Sequence, residues 1–359
     1  MKKILILTNH SYMLYRFRLE LIQALAKEHE VVLSMPFVGH EEDFKALGIR
    51  CIETAVDRRG INPKTDFKLL RTYKKLLKTE RPDLVITYSV KPNIYAGLAC
   101  KKMGIPYFAN VQGLGTAFQR KGIAQLVTFL YKRAFKKVRK VFFENQANAA
   151  EFRSRNILSA EKQVVLNGAG INLDTYHYTA YPQNDVPHFL YLGRIMKEKG
   201  MDELLAASKR LREEGLSFHL DFVGFFEDAY KEQIEALVQD GIATYHGFQE
   251  NPIPYYEATD CVVLPSYHEG LSNVLLEAAA IGRPVITSDI PGCREAVDAD
   301  RSGLLAEARN TDALYEAMKR LLAMSAQERA QMGVAGREKM QREFRKELVV
   351  SETLKALNL

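Results

Sequence analysis

Short runs of β-branched and aliphatic residues alternate with helical patterns along the chain, and no other feature constrains its fold as strongly. The helical patterns, such as residues 18–29 and 201–215, place apolar residues at three- and four-residue spacing. This alternation occurs in both halves, which predicts an α/β protein with two doubly wound, Rossmann-like domains and parallel sheets. The predicted strands span residues 3–8, 30–35, 83–88, 107–112 and 140–145, and then 188–194, 219–224, 243–247, 261–266 and 284–289.

A division into two domains also follows from length, because 359 residues are many for a single core. Residues 178–188 are polar and contain two prolines, which indicates a linker. We therefore predict domains 1–180 and 181–359, with the final helix, about 340–359, as a candidate to pack back on the first domain. In such sheets ligands bind at the carboxyl ends of strands, so two sheets facing a central cleft would place site residues just after strands.

Several features indicate a cytoplasmic protein. Two lysines and only four apolar residues follow Met1, fewer apolar residues than a signal peptide needs. No apolar run is long enough to span a bilayer. The four cysteines, at 51, 100, 261 and 293, are far apart and form no CxxC pair, so we expect free thiols and no disulfide framework or zinc site.

The charge is distributed unevenly. Residues 1–180 hold 30 Lys and Arg against 15 Asp and Glu, whereas residues 181–359 hold 20 against 29. The excess is concentrated in residues 61–140, where 18 basic residues stand against 3 acidic ones. Such asymmetry predicts an anionic partner for the first half: nucleic acid, a membrane surface or a phosphorylated substrate.

Residues 119–140 have the pattern of a basic amphipathic helix. Such a helix favours peripheral contact with an anionic membrane. The alternative is a core helix with a solvated basic face, and the pattern alone does not exclude it. The apolar stripe comprises Ile123, Leu126, Val127, Leu130, Tyr131, Ala134, Phe135 and Val138, and the cations are Lys132, Arg133, Lys136, Lys137, Arg139 and Lys140.

Residues 268–277, HEGLSNVLLE, follow a predicted strand and place two glutamates, Glu269 and Glu277, eight positions apart. Ser272 or Asn273 is a plausible N-cap, Gly282 a C-terminal cap, and the loop amides of 270–272 form a donor set for an anion. The neighbours of Glu277 are too apolar for an outward face, so we expect its carboxylate to be buried, which is costly without a partner. On the alternative interpretation, Glu269 interacts with the helix dipole and Glu277 is solvated.

A second cluster lies in residues 192–205. Gly193 and Arg194 close a strand, and Lys199 precedes a helix. Arg194, with its bidentate fork, and Lys199, as a point charge, could hold a diphosphate. The alternative is that both are ordinary solvated charges in a turn.

These segments resemble a known family. GRIMKEKG (193–200) followed by PSYHEGLSNVLLEAAAIGRPVITSDIPGCREAV (265–297) is similar to the carboxy-terminal domain of family-4 glycosyltransferases of the GT-B fold. The resemblance is to the retaining E-x7-E enzymes of bacterial capsule, exopolysaccharide and O-antigen synthesis. It extends over most of the chain, since NVQGLGTAF (110–118), FFENQAN (142–148) and GAGINLDTY (168–176) also match.

The resemblance implies a role for each donor-side residue. Arg194 and Lys199 would hold the diphosphate of a UDP-sugar, Glu277 the ribose hydroxyls, and Glu269 the donor hexose. Glu277 would then be buried against the ribose and lack a protein partner. Those two cations and Glu269 would be the catalytic residues. Gly224 and Phe248 would lie near the nucleoside, and the backbone at Gly270, Leu271 and Ser272 would touch sugar and phosphate. Gly193 is the remaining donor contact implied.

The first domain departs from the family pattern in two places. No paired glycines follow the first strand, so Tyr15, Arg16 and Arg18 are candidates to contact the acceptor. Lys91 stands in TYSVKPN (87–93), where many relatives have a histidine, and it suits an anionic acceptor. Asn93, Gly113 and Gly115 complete the acceptor-side candidates.

The resemblance thus implies a retaining transferase that moves a hexose or N-acetylhexosamine from a UDP-sugar to a saccharide on a polyprenyl diphosphate. We expect it to act at the inner face of the cell membrane without a metal or other cofactor. Two alternatives remain, a UDP-sugar 2-epimerase of the same fold and a non-catalytic nucleotide-sugar-binding protein.

Other classes are disfavoured by the sequence. The glycines at 113–115 and 168–170 lack the third glycine of a dinucleotide-binding motif. Asp298 and Asp300 form a D-x-D that we expect to lie in a turn without a metal. No nucleic-acid-binding module is recognisable, and we expect no nucleic-acid partner.

Overall fold

A computed structural model describes residues 1–57, 62–114, 118 and 121–359. Within these residues the chain divides into two compact units. Unit 1 comprises Met1–Ala169 together with Val349–Leu359, and unit 2 comprises Gly170–Leu348. Each unit is built around one parallel sheet, so the predicted α/β class with two Rossmann-like domains is confirmed.

The sheet of unit 1 has seven strands within the described residues, in the order β3-β2-β1-β4-β5-β6-β7, and all its pairings are parallel. Residues Ile4–Leu7 of the first strand are fully buried, as expected for a strand covered on both faces. The strands are β1 (Lys3–Leu7), β2 (Glu30–Met35), β3 (Arg50–Glu53), β4 (Leu84–Tyr88), β5 (Tyr107–Val111), β6 (Val141–Phe143) and β7 (Gln163–Val165).

Helices cover both faces of this sheet. Their apolar sides form two clusters, one of which includes Val349 and Leu357 from the end of the chain. The helices are α1 (Ser11–Ala26), α2 (Glu41–Ala46), α3 (Pro63–Glu80), α4 (Val90–Met103), α5 (Lys121–Ala134) and α6 (Gln146–Ser154).

Unit 2 repeats the design with six described strands in the order β10-β9-β8-β11-β12-β13. These strands are β8 (His188–Leu192), β9 (His219–Val223), β10 (Ala243–Tyr245), β11 (Cys261–Leu264), β12 (Val285–Ser288) and β13 (Gly303–Ala306). The helices are α7 (Met201–Glu213), α8 (Lys231–Gln239), α9 (Ile253–Ala258), α10 (Asn273–Ile281), α11 (Thr311–Ala323), α12 (Ala326–Glu343) and α13 (Lys346–Leu357), the last of which ends in unit 1.

The division between the units precedes the proline-containing segment in which we placed it, because residues 170–180 are bonded to unit 2. The Thr179 amide donates to the Ile281 carbonyl at 3.1 Å. Arg283, fully buried, donates to the carbonyls of Thr179 and Ala180 at 3.2 and 3.0 Å. A buried guanidinium needs its donors satisfied, so these bonds hold the segment to unit 2.

The amphipathic helix predicted for 119–140 is α5 followed by a 3-10 turn, Phe135–Lys137, with residues 119–120 outside the described residues. Five members of the predicted stripe are core residues: Val127, Tyr131, Ala134, Phe135 and Val138. Leu126 and Phe129, however, are 43% and 51% exposed. The helix therefore combines a core face with an exposed apolar and basic face.

Candidate active site

The helix that carries Glu277 begins and ends where we predicted. Ser272 is its N-cap, in an extended conformation. Gly282 follows its last turn with a φ of 93°, a left-handed conformation that glycine adopts without steric cost. Glu269 therefore lies in the loop between β11 and α10, and Glu277 lies inside α10.

Glu277 is buried, with 5% of its surface exposed, which excludes the solvated alternative. The fully buried Tyr256 of α9 donates a hydrogen bond from its hydroxyl to Oε2 of Glu277 at 2.9 Å. Our expectation that this carboxylate would lack a protein partner is therefore wrong. Two adjacent tyrosines stand in the short helix α9, and nothing in the sequence indicated that one of them contacts Glu277.

The structure pairs Glu269 with Lys199, two residues to which we assigned different parts of a donor. Lys199 lies in a 3-10 turn, Lys197–Lys199, after β8, and its ammonium donates to Oε1 of Glu269. Ser266 donates to the same oxygen at 2.8 Å. The side chains of Lys199 and Glu269 are 18% and 13% exposed, so the ion pair is largely shielded from water.

Gly193 and Gly224 end the neighbouring strands β8 and β9 in close backbone contact. A Cβ atom on Gly224 would lie 1.8 Å from the Gly193 carbonyl oxygen, so only glycine fits there. Arg194 follows directly, and its guanidinium pairs with Glu227 at 2.7 Å while its side chain stays 48% exposed. Glu227 is a site residue that the sequence did not reveal.

Phe248 lies in the loop after β10 and is 58% exposed. Phe225, which follows β9, is 47% exposed, and its ring centroid lies 6.4 Å from that of Phe248. Exposed aromatic rings at adjoining strand ends can contact the face of a nucleobase. We predicted Phe248 but not Phe225, because Phe225 stands in a turn without a helical or strand pattern.

The loop amides of residues 270–272, which we predicted as donors to an anion, are partly hydrogen-bonded within the protein. The Ser272 amide donates to the Gly292 carbonyl at 2.8 Å. A Cβ atom on Gly292 would lie 2.6 Å from the Gly270 carbonyl oxygen, so the two loops are closely packed. Leu271 between them is buried. The loop 270–272 is thus fixed by the 292 loop, and the Ser272 amide already has an acceptor, contrary to our prediction.

His268 adjoins Glu269 and is neutral at neutral pH. Although its side chain is exposed, partial desolvation, followed by the positive charge of Arg309, lowers its pKa below the usual value. Arg309 also lies over the ring of Tyr267, with its guanidinium carbon 4.6 Å from the ring centroid. His268 therefore contributes no fixed positive charge beside the Lys199–Glu269 pair.

Two of the predicted acceptor residues in unit 1 are occupied by internal partners. Arg18 is buried and pairs with Glu144, which follows β6, at 2.6 Å. Asn93 is 1% exposed, accepts from Thr87 at 2.6 Å and donates to the Asn110 carbonyl at 2.8 Å. Both residues therefore help to hold the carboxyl ends of the sheet together, and their contact with an acceptor stays a prediction.

Lys91, at the start of α4, is also neutralised within the protein. Its ammonium lies 2.9 Å from the buried Asp66 of α3 and 3.8 Å from Asp57. We expected this cation to be available to an anionic acceptor. The structure places it between two carboxylates, because Asp66 on the neighbouring helix needs a positive partner when buried. Its contact with an acceptor stays a prediction.

The other acceptor-side candidates lie near the carboxyl ends of the same sheet. Tyr15 stacks on His40, with ring centroids 4.0 Å apart, so one face of its ring is covered. Arg16 is next to it on α1 and partly buried, and Gly113 follows β5. Gly115 lies outside the described residues. Tyr15, Arg16 and Gly113 remain predictions for the acceptor side.

Comparison with known proteins identifies the family. Residues 3–145 match the family described as "Glycosyl transferase 4-like", and residues 186–324 match "Glycosyl transferases group 1". An N,N'-diacetylbacillosaminyl-diphospho-undecaprenol alpha-1,3-N-acetylgalactosaminyltransferase of Campylobacter jejuni is 30% identical over 332 residues, covering 86% of each chain. The chain belongs to the family-4 glycosyltransferases. It is a transferase enzyme.

Further similarities agree with this assignment. This glycosyltransferase is 26% identical over 212 residues to the capsular polysaccharide biosynthesis glycosyltransferase CapM of Staphylococcus aureus, covering 58% of this chain and 54% of CapM. Its fold matches that of Anabaena HepE in complex with UDP and glucose, with a TM-score of 0.80, 16% identity and full coverage of both chains. Sucrose-phosphate synthase of Thermosynechococcus elongatus gives a TM-score of 0.77 at 21% identity, covering 100% of this chain and 98% of that one. The GT-B fold is therefore confirmed.

The D-x-D aspartates of this glycosyltransferase have separate cationic partners. Asp298 pairs with Lys339 at 2.7 Å, which lowers the pKa of its carboxyl, while Asp300 pairs with Arg320. Throughout the described ranges, no three His, Cys, Asp or Glu side chains are arranged to hold a metal ion. The two aspartates therefore act in ion pairs with α11 and α12.

Proposed function

We propose that this glycosyltransferase moves a hexose or N-acetylhexosamine from a UDP-sugar to a saccharide on a polyprenyl diphosphate, retaining the anomeric configuration, in cell-surface polysaccharide synthesis. The observation that carries the proposal is the shielded Lys199–Glu269 pair at the ends of β8 and β11, with buried Glu277 on the helix that follows. The name of the Campylobacter relative supports a diphosphate-linked lipid acceptor and an alpha product. The UDP-bound Anabaena structure, of the same fold, supports the donor.

In the proposed binding mode, the diphosphate of the donor competes with two carboxylates for the cations of the site. Lys199 and Arg194 are each neutralised by a carboxylate, Glu269 and Glu227. A diphosphate carries more negative charge than a carboxylate, so it replaces these partners on the two cations. Glu269 is then released to accept hydrogen bonds from the hydroxyls of the hexose.

The same cations serve the transfer step. When the bond between the sugar anomeric carbon and the phosphate oxygen breaks, negative charge develops on the departing UDP. Lys199 and Arg194, fixed beside that charge, stabilise it. The acceptor hydroxyl attacks from the side of the departing phosphate and gives its proton to a phosphate oxygen, a route that requires no separate protein base.

Unit 1 presents a surface suited to the membrane that holds such an acceptor. Its helix α4 packs against both α3 and α5. Phe67 on α3 and Phe129 on α5 are exposed, and each ring lies under a guanidinium group. The guanidinium carbon of Arg71 is 4.4 Å from the ring centroid of Phe67, and that of Arg133 is 4.9 Å from the ring centroid of Phe129. Exposed aromatic rings interleaved with cations favour the interface of an anionic bilayer.

Several cations of this surface lie close enough together to repel one another. Burial, and then the charges of Arg133, Lys136 and Lys137, lower the pKa of Lys101 on α4. Anionic lipid headgroups would relieve this repulsion. None of the described helices has both the length and the apolar content required to cross a bilayer. We therefore propose peripheral binding at the inner face of the cell membrane, through residues 61–140 and especially 119–140.

We expect UDP release when the purified protein receives UDP-sugars together with a membrane-lipid extract, at the same rate with or without EDTA. A donor screen should cover UDP-linked hexoses and N-acetylhexosamines, with analysis of the anomeric configuration of the product. The proposal is wrong if no UDP-sugar is turned over. Isomerisation of the sugar without acceptor would show an epimerase, and loss of activity in EDTA would contradict the metal-independent mechanism.

We expect the double variant Leu126→Ser, Phe129→Ser to bind anionic vesicles at least about tenfold more weakly, because two apolar side chains no longer enter the interface. Sedimentation with vesicles of 30% phosphatidylserine, against pure phosphatidylcholine, measures this. Val334→Ser on α12, a 39% exposed apolar residue of unit 2, is the matched control. Equal binding by the double variant and the control would rule out α5 as the membrane contact.

A further inference from the structure

Three of the histidines in unit 2 surround a single carboxylate, outside the donor contacts described above. Asp221 lies on β9, and its Oδ1 accepts from Nε2 of His246 at 2.7 Å while its Oδ2 accepts from Nδ1 of His188 at 3.0 Å. The third is His219, whose Nε2 lies 3.8 Å from Oδ1 of Asp221. The same nitrogen is hydrogen-bonded to the Thr244 hydroxyl at 2.9 Å. We call Asp221, His188, His219 and His246 the histidine cluster.

The strand register brings this cluster together. His188 on β8 is paired with His219 on β9, and Asp221 is paired with Thr244 on β10. Side chains alternate along a strand, so His219 and Asp221 face the same side of the sheet. Among the described residues, Asp221 makes ion-pair contacts with the three histidines and with no lysine or arginine.

His246 differs from the other members because it begins the loop that carries Phe248. Its carbonyl accepts from the Gln249 side chain at 2.7 Å, and its ring packs edge-on against Tyr255 of α9, with centroids 4.8 Å apart. Gly247 follows with a φ of 70° and accepts from the Gly224 amide at 2.8 Å. The bond from His246 to Asp221 thus ties the first residue of this loop to the central part of β9.

We propose that Asp221 and His246 are positioning residues for the donor nucleoside. Asp221 fixes His246, and His246 fixes the loop from which Phe248, beside Phe225 of the neighbouring loop, contacts the base. This inference rests on the proposed UDP-sugar donor and on the prediction that its nucleoside lies near Phe248. The two aromatic rings are about half exposed, so packing within the protein does not by itself hold their loops. Stacking of a base on an aromatic ring contributes to affinity, and a ring that moves loses part of that contribution.

The other two histidines have a different task. His188 and His219 lie side by side, with ring centroids 4.8 Å apart. Burial lowers the pKa of His219, so its ring is neutral at pH 7 and acts as a hydrogen-bond partner of Thr244. Neither residue lies in the loop 246–249. They therefore provide controls within the same cluster.

We expect His246→Leu to raise KM for the UDP-sugar about tenfold with kcat within about twofold. The reason is that a hydrogen bond to an ionised, mostly buried carboxylate is lost while the backbone bonds of the loop remain. His246→Gln, whose amide can still donate to Asp221, should restore most of the affinity. His219→Gln, which keeps a donor for Thr244, should leave KM unchanged. Affinity for UDP by calorimetry and the melting temperature are measured on the same preparations.

The outcomes separate this inference from the function on which it rests. If wild type binds no uridine nucleotide, the proposed donor is wrong and the positioning role fails with it. If wild type binds UDP and His246→Leu has an unchanged KM, only the positioning role is overturned. It is also overturned if His246→Leu and His219→Gln raise KM equally, or if His246→Gln is as weak as His246→Leu, since the effect would then be a general one on the sheet.

Discussion

Lys199→Ala should lower kcat/KM for sugar transfer by about two to three orders of magnitude, the range found when one fixed donor to a developing negative charge is removed. Lys199 is the shielded cation of the site, and its present partner is Glu269. Its loss would remove a charge from the departing phosphate and leave Glu269 unpaired beside the same phosphate. Steady-state UDP release with a saturating acceptor measures the change.

Because Lys199 is paired with Glu269, the effects of replacing the two residues should be coupled. If Glu269 repels the diphosphate once Lys199 is gone, the double variant Lys199→Ala, Glu269→Ala should bind UDP more tightly than the single variant Lys199→Ala. The rate should nevertheless stay low, because the stabilising cation is still missing. A double-mutant cycle on UDP affinity measures the coupling.

A matched control lies two residues away. Lys197 belongs to the same 3-10 turn, but its side chain is 66% exposed and pairs at 3.2 Å with Asp202, which is also exposed. Lys197→Ala should stay within about twofold of wild type, since exposed ion pairs contribute little. If Lys197→Ala and Lys199→Ala were equally impaired, the turn as a whole would matter and not the Lys199 charge.

The positions of the donor-side residues could be predicted because they follow strands. Gly193, Gly224 and Phe248 come after β8, β9 and β10, and Glu269 comes after β11. Once the strand pattern is recognised, the carboxyl-end rule places all of them at one edge of a parallel sheet. All ten predicted strands are present in the structure.

The strands that the sequence did not predict are short and lie at or near the sheet edges. They are β3, β7 and β13, and the order of strands places each at an end of its sheet. Residues of β7 are only partly buried, and an edge strand needs no continuous apolar run. The pattern that identified the central strands was therefore weak at the edges.

Partners of the site residues were harder to predict than the residues themselves. Tyr256 reaches Glu277, and Ser266 reaches Glu269, through side-chain orientations that no spacing encodes. In unit 1, no pattern in the sequence indicated that Arg18, a predicted acceptor contact, pairs with Glu144, 126 residues later. A basic residue in a sequence shows its charge, but whether that charge is available depends on acids brought near by the fold.

Glu277→Gln should weaken binding of UDP about 100-fold, because hydrogen bonds from ribose hydroxyls to an ionised carboxylate are worth about 1.5–3 kcal/mol each. Glutamine is the right substitution, since its side-chain oxygen can still accept from Tyr256 and the buried volume is kept. Alanine would leave a cavity and the Tyr256 hydroxyl without its acceptor, and would confuse stability with binding.

The ribose assignment can be tested with the ligand as well as the protein. Wild type should prefer UDP to 2′-deoxyUDP, and Glu277→Gln should reduce that preference to near unity, because the group that recognises the hydroxyl has lost its charge. Tyr256→Phe keeps the carboxylate but removes a bond that orients it, so it should retain most of the preference with a several-fold weaker affinity. If Glu277→Gln weakened UDP and 2′-deoxyUDP by the same factor, Glu277 would support the helix and would not contact the 2′-hydroxyl. Loss of preference in Glu277→Gln but not in Tyr256→Phe would locate ribose recognition in the carboxylate itself.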